Sequence, residues 1–159
     1  MAELFEITEL VKIAVEDEAT GVAFYSAVAA KIAKADLKEL FDRLAEEEKF
    51  HKRRFEEMLA DLGGETPKRE EYPGQYMAYL RTLTDERAFP DEDTALRMAR
   101  ECADDAAAVE LASRFERDTL ILMNEMRGLV PEKDSAVVDE LANEERGHLV
   151  TLAEARRQL

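Results

Sequence analysis

Thiols are all but missing from this chain: Cys102 is the single cysteine in 159 residues. No internal disulfide can form, and no Cys-x-x-Cys pair exists to hold a thiolate-bound iron or a structural zinc. A reducing cytoplasm is the compartment this usage fits. Proline (4) and glycine (6) are scarce and tryptophan is absent, so little interrupts helices and a turn-rich β architecture is disfavoured. Positive charge is also in deficit, with 22 basic residues against 37 acidic ones and a net charge of -15. Such a field repels phosphate backbones and anionic lipid, which argues against nucleic acid as a partner. The longest apolar stretch, Gly21 to Ala30, falls well short of the ~20 residues a spanning helix needs. The first residues, Met1 to Lys12, are acidic rather than basic, so neither a membrane span nor export is expected.

What remains is rich in Ala, Glu, Leu, Arg and Lys, the best helix formers, in a length that suits one domain over residues 1–159. Four long segments carry apolar residues at spacings of three and four, each with one stripe to bury. The first runs over about residues 8–33, with Val11, Ala14, Glu18, Val22, Tyr25, Ala29 and Ile32 on its stripe. The second spans about 36–62, opening at Asp36 as N-cap with Glu39 completing a capping box, and closing at Gly63 and Gly64 as a left-handed cap. Its stripe is Leu37, Leu40, Leu44, Glu48, His51, Phe55, Met58 and Leu62. A third, about 105–127, follows an Asp104 cap and turns Val109, Ala112, Glu116, Thr119, Met123 and Met126 inward. A fourth, about 134–157, follows Pro131 and Asp134 with Val138, Leu141, Glu145, His148 and Leu152 inward. The expected fold is an all-α four-helix bundle.

The stretch from Gly63 to Asp104 is too long for a hairpin loop and implies a crossover that travels back along the bundle. Pro73 to Leu83 and Thr94 to Cys102 are predicted short helices within it. Tyr72, Tyr76, Tyr79 and Phe89 are expected to form one aromatic patch, which either caps the bundle or meets a second subunit in a homodimer.

Each apolar stripe is interrupted by ionisable residues, and the interruptions repeat. Glu18 and Glu116 stand 98 positions apart, and Glu48-x-x-His51 recurs as Glu145-x-x-His148 at a spacing of 97. Positions i and i+3 share a helix face, so each Glu and His pair can present an oxygen and an imidazole nitrogen to one point. Four carboxylates and two imidazoles form a donor set for two iron ions, with manganese or zinc as possible substitutes. The four negative charges balance two divalent cations, with Glu48 and Glu145 placed to bridge them. An alternative without metal, a bundle held by inward salt bridges, needs basic partners that the stripes do not offer. The chain has only two histidines, and both follow a Glu by three residues on a stripe.

These segments (Glu18-Ala-Thr-Gly-Val-Ala-Phe-Tyr25, Glu47-Glu48-Lys-Phe-His51 and Glu144-Glu145-Arg-Gly-His148) resemble the rubrerythrin branch of the ferritin-like diiron carboxylate proteins. The resemblance covers the four long helices but not the crossover. It implies that Glu18, Glu48, His51, Glu116, Glu145 and His148 are the iron ligands, Glu18 and Glu116 as terminal ones. Two departures stand out. Rubrerythrins typically carry a four-cysteine rubredoxin-like domain, which a chain with one cysteine does not contain, so an external electron donor such as a rubredoxin or a reductase is expected. They also use an extra carboxylate on the third helix, where this chain has Ser113 and Thr119 three positions either side of Glu116.

Tyr25 lies two turns from Glu18 on the same face and reads equally as a partner of a ligand carboxylate and as packing; Met123 takes the matching place in the other half. Glu46, Glu47, Glu110 and Glu144 read as solvated charge, and Cys102 as an inert small residue. The resemblance implies an oxidoreductase that reduces hydrogen peroxide or dioxygen, a peroxidase of the oxidative-stress response. The alternative is ferritin-like iron oxidation, storage or detoxification.

Overall fold

The computed structural model describes residues 3–5, 7–64, 70–72 and 74–159. Among these residues six helices form in chain order: α1 (Ile7–Lys31), α2 (Ala35–Gly64), α3 (Gly74–Asp85), α4 (Glu92–Glu101), α5 (Asp105–Arg127) and α6 (Glu132–Arg157). Two three-residue strands, β1 (Glu3–Phe5) and β2 (Glu70–Tyr72), pair antiparallel with Leu4 opposite Glu71. That ladder has no signature in the sequence pattern. The architecture is all-α, and no helix among the described residues is long and apolar enough to cross a membrane.

Helix starts differ in chemistry. Asp104 accepts from the Ala107 amide at 2.7 Å to open α5, and Asp91 accepts from Thr94 at 2.6 Å to open α4. Asp36 is not the cap of α2. The helix begins one residue earlier, the Lys34 carbonyl takes the Lys38 amide at 2.9 Å, and Asp36 sits in the first turn, where its charge complements the helix dipole. Gly63 and Gly64 remain helical, and among the described residues no glycine has a positive φ, so the expected left-handed cap is absent there. α6 begins at Glu132, before Asp134, with Pro131 at the cap position.

Apolar side chains gather in two cores at opposite ends of the bundle. One holds Phe24, Val28, Phe41, Leu44, Val109, Phe115 and Leu152; the other holds Leu10, Val11, Phe55, Met58, Leu122, Met126 and Leu141. α2 and α5 both run from the first core to the second, and α1 and α6 run the opposite way. Because α2 and α5 are parallel, the chain must cross the length of the bundle between them. α1 packs on α2, α5 packs on α6, and α1 also meets α4 and α5. Val22, placed inward by periodicity, is only half-buried; Phe24 and Val28 fill that interior instead.

The crossover is pinned at α1. Phe89 inserts into the first core, its ring centroid 4.6 Å from that of Phe24 and 5.3 Å from that of Phe115. Arg87 beside it donates to Asp17 at 2.5 Å and to the Pro90 carbonyl at 3.0 Å, while the Ala88 amide donates to Asp118 at 2.6 Å. Lys31 closes the end of α4 by donating to the carbonyls of Ala99, Arg100 and Cys102 at 3.0–3.1 Å. The expected single aromatic patch does not form. Phe89 belongs to the first core, whereas Tyr76 and Tyr79, at the other end, donate to Glu125 at 2.8 and 3.1 Å. The side chain of Tyr72 lies outside the described residues, as does Pro73.

Candidate metal centre

Between the two apolar cores lies a polar layer contributed by four helices. α1 supplies Glu18, α2 supplies Glu48 and His51, α5 supplies Glu116, and α6 supplies Glu145 and His148. All six predicted site residues come together there. Five have no exposed surface and His148 keeps 5%. One ligand atom from each of Glu18, Glu48, His51 and Glu145 falls within 4.8 Å of the others; the same holds for Glu48, Glu116, Glu145 and His148. The two sets share Glu48 and Glu145.

Within the layer, the His51 Nδ1 atom is 2.7 Å from Glu145 Oε1 and 3.8 Å from both Glu18 Oε2 and Glu48 Oε2. His148 Nδ1 is 2.8 Å from Glu145 Oε2 and 3.4 Å from Glu48 Oε1 and Glu116 Oε1. The imidazole rings stack nearly parallel with centroids 5.6 Å apart. Beyond these close approaches to one another, both Nδ1 atoms, both oxygens of Glu18, Glu48 and Glu145, and Glu116 Oε2 meet no well-aimed partner. Buried polar atoms are ordinarily satisfied. A cluster of acceptors that converges on two common points can hold cations there, and its oxygen and nitrogen donors suit iron or manganese.

Electrostatics point the same way. Burial, then the neighbouring Glu48, holds the Glu18 carboxyl well above its ordinary range. Burial and Glu145 push Glu116 up to about 8, against a smaller opposing pull from His148. Burial pulls His51 down, but the carboxylates of Glu145, Glu48 and Glu144 outweigh it and bring it up to about 9; Glu116, Glu145 and Glu48 outweigh burial at His148 and raise it further. Glu145 is moved the other way: burial and Glu48 oppose its charge, but Glu116 and both histidines hold it charged. Two divalent ions would take over the neutralising role that protons play here.

Two residues read as solvated charge prove to be part of the centre. Glu144 accepts from His51 Nε2 at 2.8 Å, and Glu47 meets His148 Nε2 at 2.9 Å, each half-exposed and each reaching across from the other helix. A carboxylate on Nε2 fixes the tautomer and leaves Nδ1 free to face the cluster. The doubled Glu-Glu-x-x-His in both halves was the available signal. Glu46 and Glu110 do stay outside, pairing with Lys49 and Arg156. Tyr25 serves both readings at once, fully buried and donating to Glu116 Oε1. Cys102 is partly buried, and burial raises its thiol. Asp17, beside Glu18, also escaped the sequence reading. It is buried against Arg87, and burial outweighs the guanidinium and brings it up to about 7.

A structure from Thermotoga maritima, described as a candidate ferritin-like diiron-carboxylate protein, superimposes with a TM-score of 0.74 at 21% identity, covering 99% of this chain and 98% of that one. A hypothetical protein from Pyrococcus furiosus superimposes with a TM-score of 0.67 at 22% identity, covering 96% and 89%. At such identities the likeness speaks to the fold. No functionally curated protein matches the chain in sequence. The family model for rubrerythrin matches residues 9–156, a span that includes every residue of the polar layer. By that match the chain belongs to the rubrerythrin family.

Proposed function

We propose that the protein is a diiron-carboxylate oxidoreductase that reduces hydrogen peroxide. The observation that carries this reading is the pair of overlapping four-ligand sets sharing Glu48 and Glu145, lying between two apolar cores. Glu18 and His51 would hold one ion, Glu116 and His148 the other, with the shared carboxylates spanning both. Ferrous ions held by these residues would supply two electrons, one each, for the reduction of peroxide with two protons to two waters.

The chain's own residues do the rest. Glu144 and Glu47 hold the imidazoles by Nε2, and Tyr25 holds one oxygen of Glu116. Phe55, Met58 and Met126 on one side and Phe24, Phe41 and Phe115 on the other close the layer from the two ends of the bundle. Carboxylates suit iron in both oxidation states, so the centre would be reset by an external donor that returns the electrons.

Stopped-flow mixing of the anaerobic ferrous protein with stoichiometric peroxide tests the reading. Rapid appearance of the ferric absorption, faster than with dioxygen, is expected. Oxidation by dioxygen with indifference to peroxide would favour iron oxidation and storage instead. Metal analysis of His51→Ala tests the ligand set, which fails if that variant retains about two iron atoms per chain.

A further inference from the structure

α4 packs on α1 and α3 on α5, so the seam between α2 and α6 carries no covering element among these contacts. A cleft of about 500 Å³ opens there, lined by Arg43, Glu47, Glu144, Gly147, His148 and Thr151 among others. Its floor is His148, the one residue of the polar layer with exposed surface. Gly147 helps keep it open: a Cβ built at that position has no atom within 4 Å.

We propose that divalent cations are admitted to the centre through this α2–α6 cleft. The proposal rests on reading the polar layer as a metal centre. The rim favours cations over a neutral oxidant, because Glu47 and Glu144 are 41% and 47% exposed there, opposed by Arg43, on a chain of net charge -15. Each rim carboxylate touches the far nitrogen of an imidazole whose near nitrogen faces the cluster, so a cation at the mouth stands one ring away from its ligands.

Anaerobic stopped-flow uptake of Co(II), followed by its visible absorption, tests the route apart from turnover. Gly147→Leu places a side chain in open space on an exposed helical position, so the fold is kept while the cleft is plugged. Uptake severalfold slower, with unchanged cobalt stoichiometry at equilibrium, is expected. Arg43→Glu should do the reverse, accelerating uptake at low salt with the gain lost at high salt, a result that no folding defect can imitate. Unchanged uptake rates in both variants, with normal stoichiometry, overturn the route. A wild-type protein that takes up no cobalt at equilibrium overturns the metal-centre reading beneath it.

Discussion

Tyr25 and Thr119 are both buried hydroxyls in the bundle interior, and the protein treats them differently. Tyr25 donates to Glu116, so Tyr25→Phe removes one partner of a buried carboxylate; the metal-free protein should lose about 1–3 kcal/mol in denaturant unfolding. A variant as stable as wild type would mean that the hydroxyl contributes packing alone. Thr20, Ser113 and Thr151 return their hydroxyls to the carbonyl four residues back, at 2.8, 2.9 and 3.0 Å. Thr119 does not, and its Oγ1 is buried with no partner. Replacing it by the isosteric valine should therefore raise the stability of the metal-free protein by about 1 kcal/mol, read as a higher melting temperature. A lower one would show that the hydroxyl is satisfied. At this scale the sequence was most informative about Glu18, Glu48, His51, Glu116, Glu145 and His148, because a charged residue on an apolar stripe is conspicuous. For Glu47 and Glu144 it offered only the repeated Glu-Glu pair, because a helical wheel describes one helix and their partners are histidines on the neighbouring one.

Periodicity located the helices because buried positions on an α-helix recur every 3.6 residues wherever the partner lies. It could not locate the contacts between them. Arg87 and Asp17 are 70 residues apart, and nothing in the local pattern of either announces the pair. Helix ends were read less well than helix bodies, since Gly63 and Gly64 can end a helix but equally tolerate its continuation. α1 is approached closely at Gly21, where an added Cβ would lie 2.9 Å from the Phe115 ring and 3.3 Å from Glu48 Cγ. Phe115 is held by Phe89 and Tyr25, so it has little room to yield. Gly21→Ala should thus destabilise the protein: overpacking costs about 1–3 kcal/mol, against a helix-propensity gain of up to about 1 kcal/mol. Chemical unfolding of the metal-free form checks this, and a stabilised variant would place the α1–α5 spacing wider than described.

For the molecule as a whole, the polar layer sets how stability depends on pH. Glu116, ordinarily near 4.5, is held up to about 8, and Glu18 moves in the same direction. Groups raised in this way contribute stability that is complete below the unfolded value and lost as pH rises through the folded one. His51 follows the same sense from 6.5 to about 9, and Glu145 opposes it. The metal-free protein should therefore melt at lower temperature as pH rises from about 5 to 9, while the loaded protein shows a flatter profile; melts with and without chelator distinguish the two. A metal-free melting temperature that climbs over that window would contradict the assignment. The two halves of the chain are also interlocked. The α1–α2 hairpin owns Glu18, Glu48 and His51, but the carboxylate that completes its ligand set and the one that steadies its imidazole both come from α6, and the reverse dependence holds for α5–α6. Neither hairpin is self-sufficient, yet each carries what its counterpart lacks. Two identical hairpins clasped about a twofold axis would exchange the same contributions, so a centre spelled twice in one chain closes only when its two halves dock.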